Sequence, residues 1–403
     1  MPRALPNDPM LRRLIELARA QQLSRRRLLQ VGAAGAGALT LAACAPAGGG
    51  GGGGEGGLIR WANWTGYMDE DDAGNYPTLD AFQERTGIPV EYLVDVDDNN
   101  TFYATIQGQL ELNADTGYDT FCLTDWMAAR LIRDGQVQSF DYANLPNVSA
   151  QLNPSYKEAA FDPGRAKSIP WQGGYAGLVY DEQAVPGGIK SVEDLWKPEF
   201  RGRVVVLSEL RDTVGVVMQS LGTDISTNWG ADAFYNALDV VGEQIANGQI
   251  GAVKGNSYTD DLINGDAVVG IVWSGDVESI LNAELAAAGE DPRFQFVLPD
   301  SGGTLWADNF LVPNASTAKK EVEQLIDYYY EPEVAAELAA WVNFVSPCVG
   351  AQAAMEQFAP ELVDNWLIFP NDEVMANVRV FRGLSEAEEN EYSAAWQALN
   401  VGV

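Results

Sequence analysis

Histidine is absent from all 403 residues, and that absence removes whole classes of chemistry. Ser-His-Asp and Cys-His nucleophilic catalysis need an imidazole, and most transition-metal sites use one. Cysteine is nearly as scarce. The three present, Cys44, Cys122 and Cys348, are too few for a disulfide scaffold in a chain of this length. Basic side chains number 25 against 57 acidic ones, a net charge of −32, which argues against nucleic acid or anionic lipid held by a basic patch. The apolar run from Val31 to Ala43 is too short for a permanent membrane span. The excess of acid fits a cationic ligand, although it is also a common solubility device.

The first 57 residues read as an address and a tether rather than as a folded domain. Ser24-Arg25-Arg26-Arg27-Leu28-Leu29-Gln30 is a basic start with paired arginines, followed by the small-residue apolar run. It resembles the twin-arginine export signal, and Leu41-Ala42-Ala43-Cys44 resembles a bacterial lipobox. The expectation is a signal over residues 1–43, a lipidated Cys44, and a Gly-rich linker completing residues 44–57. That places the protein outside the cytoplasm, tethered to the membrane. Residues 1–43 hold seven of the basic side chains and two of the acidic ones, so the remainder carries 18 against 55. Export permits a disulfide between Cys122 and Cys348, and the sequence leaves that pairing open.

From Leu58 onward strand-like and helix-like segments alternate. "LIRWANW", a helical stretch through Leu79 and Phe82 ended by Gly87, and "IPVEYLV" form a strand–helix–strand unit, which implies a parallel crossover. A second unit follows, with a helix through Phe102, Ile106 and Leu110, the strand "YDTFCLT", and a helix from Asp125 closed by Gly135. The fold class is α/β, and about 345 residues are more than one compact core usually holds, so two lobes are expected. "IPWQGGYAGLVY" and the region near Leu305-Trp306 mark crossings between them. "EVEQLIDYYYEPEVAAELAAWV" is the clearest amphipathic helical part of the tail.

Several strand ends finish in an aromatic next to a polar or acidic residue: Trp64 with Thr65 and Tyr67, Thr124 with Trp126, Trp273 with Asp276, and Trp306 with Asp308. Ligand crevices of open α/β sheets lie beyond the carboxyl ends of strands, so the pattern points to one shared site. Aromatic faces attract an organic cation and cover its methylene stem, while a carboxylate supplies a charge-assisted hydrogen bond. "DVDDNN" from Asp95 lacks the Gly and Glu of a calcium loop and reads as a solvated turn; Asp69 to Asp72 likewise reads as a hydrated loop. No metal and no cofactor is called for.

On "NWTGY", "YDTFCLTDWM", "SIPWQGGYAGLVYD", "SVEDLWKPEFRGRVVV", "VVGIVWSGD" and "LWADNFLVP", the chain resembles the bacterial spermidine/putrescine-binding proteins of polyamine importers over nearly its whole mature length. The resemblance implies a two-lobe periplasmic-binding-protein fold of type II, each lobe a mixed, mainly parallel sheet flanked by helices. Lobe 1 would comprise residues 58–172 and 306–352, and lobe 2 residues 173–305 and 353–403. It implies a monomer that holds a polyamine in the hinged cleft and delivers it to an ABC permease, without catalysis. Trp64 and Tyr67 would flank the ligand, with Thr65 offering a hydroxyl. Thr124 and Trp126 stand in the second contact loop, Glu209 and Asp212 would receive one ammonium, Trp273 and Trp306 match stacking tryptophans, and Asp308 is the acid opposite Trp306. Asp276 matches an aspartate of the putrescine-binding branch, and Phe344 lies near a family aromatic. Gly66 departs from the pattern, standing where relatives carry an acid. Two other readings remain: the same fold holding another small solute, and a glycoside-processing enzyme, since paired carboxylates and tryptophans also serve sugars.

Overall fold

The computed structural model describes residues 57–71, 73–157 and 159–400. The expected signal and the Cys44 anchor lie outside the described residues.

The N-terminal half builds as its pattern requires. Strand β1 (Ile59–Trp64) pairs in parallel with β2 (Val90–Val96), and helix α1 (Pro77–Thr86) is the crossover between them. Pro77 opens α1, where its missing N–H costs nothing, and Gly87 ends it at φ 71°. Asp69 is buried rather than hydrated: its carboxylate accepts from the Thr78 amide at 2.7 Å and from the Thr78 hydroxyl, so it caps the first turn of α1. Helix α2 (Asn99–Glu111) is capped in the same way by Asp98, whose side chain accepts from the Thr101 amide at 3.0 Å. Two of the acids that read as solvated loops are therefore helix caps. Among the described residues no group of acids or cysteines could hold a metal ion.

Strand β3 (Thr120–Thr124) runs parallel to β1 and leads directly into helix α3 (Asp125–Arg133). Strand β4 (Ile169–Asp181) follows, then β5 (Val204–Leu207), helix α4 (Leu210–Ser220), helix α5 (Ala231–Ala246), β6 (Ile250–Lys254), helix α6 (Tyr258–Asn264) and β7 (Val269–Trp273). Strands β8 (Phe294–Val297), β9 (Gly303–Leu311) and β10 (Val378–Val380) complete a ten-stranded mixed sheet. Its main path is β2-β1-β3-β9-β4-β7-β5-β6, with β8 on β4 and β10 on β9. Hydrogen bonding is thus continuous through the antiparallel pair β4–β9, the two crossing segments.

The apolar interior divides into two principal clusters. One gathers Ile59 to Trp171 with Phe310 to Ile368; the other gathers Ala176 to Phe294 with Phe381, Tyr392 and Trp396. Ile169 and Trp171 of β4 belong to the first and Ala176, Leu178 and Val179 to the second, so one strand feeds both cores. In the tail the amphipathic part is two helices, α7 (Lys319–Tyr329) and α8 (Pro332–Val342). Pro332 forces Glu331 out of the helical region, to φ −67° and ψ 128°, and the chain turns there. Cys122 and Cys348 are both buried and both free.

Candidate functional site

A cavity lies where the carboxyl ends of β1, β3, β5 and β7 converge beneath β9. Eleven of the twelve side chains singled out from sequence line it. The exception is Trp126.

The four carboxylates come from three elements. Asp308 sits in the middle of β9 rather than at a strand end. It shares a face with Trp306 because residues two apart in a strand point the same way. Its Oδ1 accepts from the Thr124 hydroxyl at 2.7 Å and its Oδ2 from the Tyr67 hydroxyl at 2.9 Å. Burial overcomes both bonds and lifts the carboxyl to about 7. Asp276 lies one turn beyond β7, in the helical turn Ser274–Asp276, and its Oδ2 accepts from Tyr258 at 2.7 Å and Asn256 at 3.2 Å. Burial also raises it to about 7. Asp212, in the first turn of α4, accepts from the Thr304 hydroxyl at 2.6 Å and the Trp273 indole at 2.8 Å, and burial sets it near 6. Glu209 caps α4 through the Arg211 amide at 3.1 Å, and burial raises it to about 7. Both acids of α4 occupy the positive end of its dipole.

Sequence reasoning counted four acids and overlooked the cation beside them. Arg211 is buried, with Nη1 3.4 Å from Glu209 Oε1 and its guanidinium 3.9 Å over the Trp126 ring. The Trp126 indole in turn donates to Glu209 Oε2 at 3.0 Å. Trp126 therefore acts behind the cavity wall, fixing Glu209 and Arg211. Glu209 is ion-paired with Arg211, whose charge also acts on Asp212, and among the described residues Asp212, Asp276 and Asp308 form no ion pair. The signal was available in "SELRDTVG", where the arginine stands between the two acids.

Aromatic rings close the remaining sides. Trp64 and Trp273 meet edge to face at 6.1 Å, Tyr67 meets Phe344 at 5.1 Å, and Phe344 meets Trp306 at 5.5 Å. The Trp64 indole is spent on the Cys122 carbonyl at 3.0 Å, so Trp64 offers only its face. Gly174 pairs with Trp306 across β4 and β9, and a Cβ there would fall 2.5 Å from the Trp306 ring and 2.9 Å from Phe344. A Cβ on Gly275 would meet Phe344 at 2.7 Å. Gly174 of "WQGGYAG" and Gly275 make room for the aromatic wall. Thr65 is exposed at the rim. Gly66 has φ 71°, and a Cβ there would lie 3.2 Å from Ile280 Cδ1, so an aliphatic side chain packs against this position.

Two lining residues escaped the sequence reading. Asn99, the first residue of α2, donates to the Thr124 hydroxyl at 2.8 Å and accepts from the Thr124 amide at 3.1 Å, which aims that hydroxyl at Asp308. Asn256 lies in the turn before α6 and donates to Asp276. Nothing in local periodicity marks either residue, because both act through a partner distant in sequence.

Two apolar cores joined by crossing strands, with a cavity of carboxylates and aromatics where they meet, define a two-lobed solute-binding fold. The chain matches the description "Bacterial extracellular solute-binding protein" over residues 113–369, and it belongs to that family. These are binding proteins of ABC transporters and not enzymes. The chain is 26% identical over 343 residues to the spermidine/putrescine-binding periplasmic protein of Escherichia coli, covering 84% of this chain and 90% of that one. It is 25% identical over 339 residues to the putrescine/agmatine-binding protein of Pseudomonas aeruginosa, covering 81% and 88%. The solved spermidine/putrescine ABC transporter substrate-binding protein of Streptococcus pneumoniae superposes with a TM-score of 0.67 at 22% identity, over 85% of this chain and 98% of that one.

Proposed function

We propose that the chain captures a polyamine of the putrescine and spermidine class in this cavity and delivers it to an ABC permease. The observation that carries the reading is the set of three buried carboxylates that form no ion pair, enclosed by aromatic faces. A buried acid left unpaired is costly, and an organic diammonium ligand would offset that cost while its methylene stem lies against the rings. At an effective dielectric of about 20, an ion pair near 4 Å contributes about 4 kcal/mol before desolvation. Two such pairs with stacking leave about 8 kcal/mol, the micromolar range.

In this reading the ligand bridges the two cores and favours the closed arrangement, in which Trp126 meets Glu209 and the Ser208 hydroxyl donates to Asp98 at 3.0 Å. The permease would recognise the combined surface. Export and lipid anchoring at Cys44 belong to the same proposal and rest on the arginine-rich start and the Leu-Ala-Ala-Cys sequence. Similarity to proteins named for putrescine, spermidine and agmatine supports the ligand class.

The test is substitution at the cavity. Asp308→Asn and Trp306→Ala should each weaken polyamine binding at least tenfold in calorimetric titration. Wild-type affinity in both would place the ligand elsewhere.

A further inference from the structure

Asn256 holds an unfilled acceptor in the cavity wall. It is 8% exposed and lines the cavity, and its Nδ2 is committed to Asp276 Oδ2 at 3.2 Å. Its Oδ1 is buried with no hydrogen-bond partner. Rotating the amide does not relieve this, because the flip would turn a carbonyl oxygen onto the carboxylate oxygen that already accepts from Tyr258 at 2.7 Å. The need to donate to Asp276 therefore fixes which atom is left over.

The same corner holds spare capacity on the acid. Asp308 and Asp212 each accept hydrogen bonds on both carboxylate oxygens, and Glu209 does so with Arg211 and Trp126. Both bonds to Asp276 fall on Oδ2 instead. Buried acceptors are almost always satisfied in native proteins, so an orphan oxygen beside an under-used carboxylate calls for a donor that arrives with the ligand. A primary ammonium supplies three N–H groups from one atom, enough for both acceptors; a tertiary ammonium supplies one.

We propose that Asn256 contacts the ligand and, with Asp276, forms a two-acceptor seat for a primary ammonium, so that the cavity selects unsubstituted amine ends over N-alkylated ones. The inference rests on the reading of the cavity as a polyamine site. Tyr258 positions the seat: its hydroxyl accepts from the Trp273 amide at 3.3 Å and donates to Asp276, tying the acid to the aromatic wall.

The test is calorimetric titration of the full-length chain, stripped of ligand, with putrescine and with N,N,N′,N′-tetramethylputrescine, whose two ends each keep a single N–H. The wild type should prefer putrescine at least tenfold. Asn256→Leu and Asn256→Ala should each lose at least fivefold in putrescine affinity while leaving the tetramethyl compound nearly unchanged, so the preference narrows. Equal wild-type affinity for the two compounds overturns the inference without any variant. So do cooperatively melting variants that keep the wild-type preference, and in both cases the cavity remains a polyamine site. A wild type that binds neither compound overturns the polyamine reading, and this inference with it.

Discussion

Asp276 shows the conflict between stability and function most directly at the scale of single residues. An isolated aspartate titrates near 3.8, yet burial sets Asp276 and Asp308 near 7 and Asp212 near 6. Each holds its proton to a higher pH in the fold than in the unfolded chain, so between about pH 4 and 7 the native state binds more protons. Stability drawn from these groups is complete at low pH and is lost as pH rises through about 7. The empty protein should therefore melt lower at pH 8 than at pH 5.5. Asp276→Asn, which keeps a carbonyl for Tyr258, should melt above the wild type at pH 8 and close to it at pH 5.5, while losing ligand affinity. An unchanged melting difference across that range would mean Asp276 is already ionised in the empty cavity. An ammonium ligand favours the ionised carboxylates, so its affinity should rise with pH over the same interval, with protons released on binding. Titration at pH 6.5 in two buffers of different ionisation enthalpy measures that release.

At the scale of elements, the site follows from where strands stop. β1, β3 and β7 deliver Trp64, Thr124 and Trp273 at their carboxyl ends, and these positions were legible because each strand is a short apolar run followed by an aromatic or a hydroxyl. Trp306 and Asp308 were found for a different reason than the structure gives: they lie within β9, whose two-residue alternation puts both on the cavity face. Trp126 was legible as an aromatic after a strand but misplaced, since the first turn of α3 carries it behind Glu209. The caps made by Asp69 and Asp98 were missed because a carboxylate beside a helix start reads in sequence like any acidic loop. Crowding across the sheet was also invisible. Gly174→Ala would press on Trp306 and Phe344, two large rings with little room to move. It should weaken ligand binding at least fivefold, with a stability loss of about 1–3 kcal/mol by denaturant titration. Unchanged affinity would show that the aromatic wall adapts.

At the scale of the whole molecule, alternating strands and helices, together with a length beyond one core, were enough to predict an α/β fold in two parts. The two crossing segments were legible and fall on β4 and β9, but that they pair with each other and keep one sheet continuous was not. The main sheet path passes through β4 and β9 without a break, and the chain enters and leaves the cavity region on those two strands. We place the hinge of the proposed closure at this strand pair, because it is where the two cores join. Closure is opposed by burying three unpaired carboxylates and favoured by a cation that pairs with them, so ligand and lobe movement are two sides of one equilibrium.

That coupling makes binding itself the decisive observation. The protein, denatured and refolded to strip any bound solute, would be titrated calorimetrically with putrescine, spermidine, spermine and agmatine. The account predicts saturable one-to-one binding to at least one of them, in the micromolar range or tighter. A folded sample that gives no heat and no change in melting temperature with all four would contradict it.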